Sequence, residues 1–146
     1  MDPEMVVREC FAAFEASQFE KAAGYFADNF VLSGPTPQPI GKKEFVALQT
    51  ALRQAFPDWK FNMHNFHTEG DTVTLVLQIT GTHTRTLPSL MPGVPEVPAT
   101  GKHISLPEEH CQATVKDGKM TSFSTDAGSD GGVMGLFQQI GVPIGG

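Results

Sequence analysis

The chain has 146 residues, 40% hydrophobic and 18% charged, with 11 Phe and a formal net charge of −6. That length suits one domain over 1–146 with a sizeable core, and the composition excludes a disordered polymer. Without a Lys/Arg cluster, an acidic chain offers no surface for nucleic acid or an anionic membrane.

No apolar run approaches the length of a bilayer span, and the opening Met1-Asp2-Pro3-Glu4 lacks the basic and apolar parts of a signal peptide, so the cytoplasm is the expected location. Asp2 is a good N-cap with Pro3 at the first helical position. Val6, Val7, Cys10, Phe11 and Phe14 then repeat at helical spacing, which predicts a first helix packed inward. A short second helix is expected over about Phe19 to Phe26, and a short strand over Phe30 to Ser33. The proline-rich Gly34 to Pro39 reads as an extended loop. A third helix is expected from about Lys42 to Phe56, with Phe45, Leu48, Leu52 and Phe56 on one side and Pro57-Asp58 as its stop.

From there the period changes to two. Trp59, Phe61 and Met63 alternate inward, but Phe66 is out of phase, and a β-bulge at His64-Asn65 restores it. Glu69-Gly70-Asp71 forms a turn into the cleanest strand, where Val73, Leu75, Leu77 and Ile79 face the core. Continuing that phase puts His83 on the inner face where the strand leaves the core. A long insertion, Leu87 to Pro98, carries four prolines and reads as a lid or a partner-binding flap.

The last strands form a hairpin about Asp117-Gly118, a pair suited to positive φ at both turn positions. Counting outwards pairs Lys116 with Lys119, Val115 with Met120, Ala113 with Ser122, Cys111 with Ser124 and Glu109 with Asp126. In that register the inner face ends in two opposed carboxylates, whose repulsion and burial favour a shared proton. After the hairpin a Gly/Ser/Asp stretch leads to a short helix from Val133 to Ile140, stopped by Gly141. The two cysteines, Cys10 and Cys111, fall on a helix and on a core-facing strand position, which supports neither a disulfide framework nor a thiolate metal site.

Ala55-Phe56-Pro57-Asp58, Glu69-Gly70-Asp71, Gly81-Thr82-His83, Thr100-Gly101-Lys102, Asp117-Gly118-Lys119 and Leu136 to Gly141 follow one another as signatures that resemble those of the SnoaL-like polyketide cyclase family, within the nuclear transport factor two-like superfamily. The resemblance covers nearly the whole chain. It implies an α+β cone: a curved, mostly antiparallel sheet wrapped around N-terminal helices and enclosing a hydrophobic pocket. It also implies an aspartate in the last strand region that removes a proton beside a carbonyl, so that an intramolecular aldol condensation closes a ring without metal or cofactor. The matching window runs from Ser122 to Gly135 and holds two aspartates, Asp126 and Asp130, of which strand phase favours Asp126.

The expected function is therefore an enzyme of the cyclase, isomerase or hydrolase kind acting on a small apolar carbonyl compound by general acid/base catalysis. Asp126 or Asp130 would be the base, Glu109 its proton partner and His83 a polarising donor. Phe14, Phe26, Leu52, Phe56, Trp59, Phe61, Met63, Leu75, Leu77 and Cys111 are the candidate pocket lining. No metal is expected: His64 and His67 are separated by strand phase and have no third ligand in register. The alternative is a non-catalytic binding or dimerisation module of the same fold. A flat, nearly uncharged outer face (Thr72, Thr74, Val76, Gln78, Thr80, His110, Gln112, Thr114) favours a homodimer.

Overall fold

Asp2 opens the molecule as the sequence implies, its carboxylate accepting the Met5 N–H at 2.9 Å at the start of α1 (Pro3–Glu15). The structure, a computed structural model, describes residues 2–34, 38–90, 95–126 and 131–141. Val6, Val7, Cys10, Phe11 and Phe14 are all buried along one side of α1. At its other side Arg8 pairs with Glu4 and lies 3.9 Å above the Phe66 ring.

Helix α2 (Phe19–Ala23) ends before the expected Phe26, because Phe26 already belongs to β1 (Phe26–Ser33) and pairs with Met120. After the two-residue β2 (Ile40–Gly41) comes α3 (Lys42–Ala55), which buries Phe45, Gln49, Leu52 and Ala55. The remaining elements are β3 (His64–Glu69), β4 (Thr72–Leu77), β5 (Thr80–Thr82), β6 (His103–Ser105), β7 (Glu109–Lys116), β8 (Lys119–Thr125) and α4 (Gly132–Ile140). Six strands form one sheet in the order β2-β1-β8-β7-β4-β3, with only β1 and β8 parallel, and β5 pairs with β6 in a separate ribbon. This is the curved, unclosed sheet with N-terminal helices that the α+β expectation describes. Across its inner side the rings of Phe11, Phe14, Phe26, Phe30 and Phe45 meet edge to face or tilted, at centroid distances of 4.6 to 6.4 Å.

Two irregularities set which residues face that side. The first, in β3, falls where the sequence places it: pairing with β4 shifts between His64 and His67, and Asn65 has φ 57°. The second was not expected. Lys116 pairs with Lys119 and Val115 with Met120, as the Asp-Gly turn requires, but the next pair is Thr114 with Ser122. Thr121 is the extra residue, so from there on the register differs by one from the sequence expectation. Ala113 pairs with Phe123 and Cys111 with Thr125, where Ser122 and Ser124 were expected. Because strand side chains alternate, this slip exchanges every subsequent residue between faces. Phe123 is 2% exposed inside, Thr125 follows it inward, and Asp126 is exposed.

Candidate active site

Glu109 begins β7 opposite Leu77 of β4, on the inner face. It is 2% exposed, a burial that carboxylates rarely tolerate without a partner. It lines a cavity of about 50 Å³ between the sheet, α3 and the start of α4. Most of the wall is apolar, including Phe11, Leu52, Phe61, Leu77, Phe123 and Leu136. Four polar side chains join it: Glu109, Gln49, Trp59 and Thr125. That volume holds a few water molecules, each needing about 10–15 Å³.

Each of the four arrives by local chemistry. Gln49 sits between Phe45 and Leu52 at helical spacing, so the inward stripe of α3 carries one amide. Trp59 follows the Pro57-Asp58 stop, its backbone N–H donating to the Phe56 carbonyl at 2.9 Å and its ring edge-on to Phe56 and Phe61. Thr125 faces in because of the extra residue at Thr121. Glu109 keeps the phase that the sequence assigns it.

Burial pushes the Glu109 carboxyl above its ordinary range, because the charged form loses hydration. The Thr125 hydroxyl and the Gly132 amide at the start of α4 pull in the opposite direction, and the Asp126 charge adds a smaller upward push. Among the described residues, Glu109 Oε2, Thr125 Oγ1, Gln49 Oε1 and Trp59 Nε1 are buried without a hydrogen-bond partner. Helix α4 is tied over this region by a two-way clamp. Gln139 Oε1 accepts the Ser105 N–H and Gln139 Nε2 donates to the Ser105 carbonyl, both at 2.9 Å.

The expected pairing of Glu109 with Asp126 across one face does not occur. Asp126 Oδ1 accepts the His110 N–H at 2.6 Å on the exposed side, where Asp126, His110, Gln112, Ser124, Thr74 and Asn65 border a shallow depression. Asp130 lies outside the described residues. His83 is fully buried, as its phase implies, but it does not line the cavity. Its ring stacks on Phe56 at 5.1 Å, and Nδ1 lies 2.9 Å from Thr100 Oγ1 and accepts the Thr100 N–H at 3.3 Å. Burial pushes the imidazole below its ordinary pKa, against a smaller upward pull from the Arg85 backbone. It therefore stays neutral and anchors the Thr100-Gly101-Lys102 turn.

Of the expected lining, Leu52, Trp59, Phe61 and Leu77 face the cavity. Phe14 and Phe26 are consumed by the aromatic cluster, Phe56 by its stack on His83, and Leu75 and Cys111 pack within the core. Met63 is only partly buried and lies off the cavity. The free thiols of Cys10 and Cys111 are both buried and pushed upward by desolvation, which leaves them protonated and unreactive. The insertion is closed at its base by Leu87 and Val97, bonded both ways at 2.8 Å, and none of its described residues reaches the cavity.

Gln49 and Thr125 were missed, as was Phe123. For Gln49 the signal was a lone amide in an apolar helical stripe. For the other two it was Phe123 itself, which the regular hairpin register would have left outside while burying Ser122 and Ser124. Among the described residues no three His, Cys, Asp or Glu side chains gather as a metal site, and no helix is long and apolar enough to cross a membrane.

The family model described as the SnoaL-like domain matches residues 7–123. Among solved structures, AclR, a candidate hydroxylase from Streptomyces galilaeus, is 19% identical with a TM-score of 0.71, covering 95% of each chain. A candidate SnoaL-like polyketide cyclase from Jannaschia sp. CCS1 is 19% identical with a TM-score of 0.69, over 97% of this chain and 92% of its own. IdmH, a candidate polyketide cyclase from Streptomyces antibioticus, is 19% identical with a TM-score of 0.67, over 86% and 91%. Identities of this size speak for a shared fold. Among curated proteins, none matches the chain.

Proposed function

Because the chain belongs to the SnoaL-like domain family, we propose that it is an enzyme of the cyclase or isomerase kind, moving a proton beside the carbonyl of a small apolar compound with Glu109 as the acid/base. One observation carries this reading: Glu109, the single carboxyl on the cavity wall among the described residues, is almost fully buried and has a raised pKa. A carboxyl held toward neutrality is suited both to take and to return a proton. As carboxylate, Glu109 removes the α-proton; the C–H electron pair becomes the π bond of the new C=C, and the C=O π pair moves to the carbonyl oxygen. The C=C π pair of the enolate then bonds to a second carbonyl carbon as the first C=O re-forms, the π pair of the second carbonyl becomes an alkoxide, and protonated Glu109 returns the proton to it. Those steps balance without metal or cofactor.

The role expected of Asp126 passes to Glu109 in this proposal, because Asp126 holds backbone on the opposite face. His83 is left to position the turn that it anchors. Exchange of the α-protons of cyclopentanone with D2O, followed by proton NMR, tests the reading. The protein is expected to accelerate exchange, and Glu109→Gln to lose about two to four orders of magnitude of that rate. No acceleration, or an unchanged rate in the variant, overturns it.

A homodimer through the outer face of β4 and β7, where Thr74, His110 and Gln112 are exposed, is part of the same proposal. Sedimentation as a monomer at micromolar concentration would remove that part. With no basic cluster on an acidic chain, nucleic acid is not among the proposed partners, and the cytoplasm is the proposed location.

A further inference from the structure

Five buried side-chain polar atoms lack a hydrogen-bond partner among the described residues, and four of them, on Gln49, Trp59, Glu109 and Thr125, belong to side chains that line the same cavity. The fifth, His83 Nε2, lies elsewhere. An unpaired buried polar atom is costly, so a fold that keeps four around one small space concentrates its unmet demand there. Glu109 and Thr125 are neighbours and belong to the proton-transfer machinery. The other two are not explained by it. Trp59 is 3% exposed and Gln49 7%, and they reach the cavity from different elements, the loop after α3 and the middle of α3.

Their chemistry differs in sign. An indole N–H only donates, so Trp59 Nε1 requires an acceptor. Gln49 Oε1 accepts, and requires a donor. The rest of the wall is hydrocarbon and aromatic ring, which rejects a charged or extensively polar ligand. Resting on the proton-transfer reading above, we infer that Trp59 and Gln49 form a recognition pair for a hydroxycarbonyl compound on an apolar skeleton. The Trp59 N–H bonds the carbonyl oxygen, and Gln49 Oε1 accepts the hydroxyl proton. This assigns the substrate or product class: a ketone bearing a hydroxyl, as an aldol step would consume or release. It also gives Trp59 a part in turnover, because the oxygen it holds is the one on which charge gathers when Glu109 takes the α-proton.

Trp59 is the only tryptophan in the chain, so its indole N–H gives one resonance in a proton–nitrogen correlation spectrum. The probe is 4-hydroxy-2-butanone, compared with 2-butanone, which keeps the carbonyl and skeleton but lacks the hydroxyl, both small enough for a cavity of this size. The hydroxyketone is expected to move the indole N–H resonance downfield in a saturable manner. Gln49→Leu should weaken hydroxyketone binding about tenfold, the worth of one buried hydrogen bond, and leave the plain ketone unchanged. An indole resonance that stays fixed at calorimetric saturation overturns the inference, as does an equal loss for both ketones or no saturable binding to folded protein. Water satisfying the four atoms gives that last result. The two readings separate cleanly: a moving indole without Glu109-dependent exchange sinks the proton-transfer reading alone, and exchange with a fixed indole sinks the recognition pair alone.

Discussion

Asp126 and His110 hold each other twice across the end of the β7–β8 hairpin: the Asp126 carboxylate accepts the His110 N–H at 2.6 Å, and the Asp126 N–H donates to the His110 carbonyl at 3.1 Å. The side chain thus completes a ladder that its own strand is leaving. A carboxylate occupied in this way on an exposed face supports the backbone of the residue beside Glu109.

Asp126→Asn keeps an acceptor for the His110 N–H and removes only the charge. Its cost should be about 0.5–1 kcal/mol in urea unfolding, typical of an exposed charge-assisted bond. Ketone proton exchange should remain within about threefold of the parent, against the two to four orders expected for Glu109→Gln. A collapse of exchange in Asp126→Asn with the fold intact would return the base to Asp126.

The pH dependence of stability has a definite sign. The Glu109 pKa is raised in the folded protein, so its contribution is fully present below the ordinary value of 4.5 and is lost as pH rises through the raised value. Glu109→Gln has no proton to lose. Its stability relative to the parent should therefore increase from acid to neutral pH, and the chemical-denaturation midpoint of the variant should overtake that of the parent. A difference between the two that does not vary with pH would show that Glu109 titrates normally.

Gly34 shows how closely β1 approaches the cavity strand. It has φ 110°, and a Cβ built there would overlap the Thr125 carbonyl oxygen and lie 2.8 Å from the Thr125 hydroxyl. Only glycine tolerates both the conformation and the approach. Gly34→Ala should cost about 1–3 kcal/mol by overpacking and strain, and should shift Thr125 away from Glu109. Thermal unfolding measures the first effect, and the pH profile of ketone exchange measures the second. An alanine variant as stable as the parent would contradict the close approach.

Elements whose cause is local are legible from the residues alone. The Asp2-Pro3 start, the apolar stripes of α1 and α3, the alternation of Val73, Leu75 and Leu77, and the Asp117-Gly118 turn each follow from spacing or from one residue's preferred dihedrals. The bulge at Asn65 was legible too, because Phe66 broke an otherwise regular alternation. Glu109 was readable as an inward carboxylate because β7 is regular along its length.

The phase of β8, by contrast, comes from contacts between elements distant in sequence. Turn chemistry fixes the first two pairs and then has no further hold on the strand. Beyond them, β8 is set by neighbours distant in sequence: β1, which runs parallel to it with Leu32 opposite Phe123, and Phe11, whose ring lies 5.2 Å from that of Phe123. Burying a phenylalanine in place of two serines is worth about 2–3 kcal/mol, more than a one-residue irregularity in a ladder costs, so the strand bulges at Thr121. That single slip took Asp126 out of the cavity and put Thr125 into it. A carboxylate pair read from the hairpin became one buried acid beside a hydroxyl, because side-chain parity is a property of the whole sheet and not of the turn that starts it.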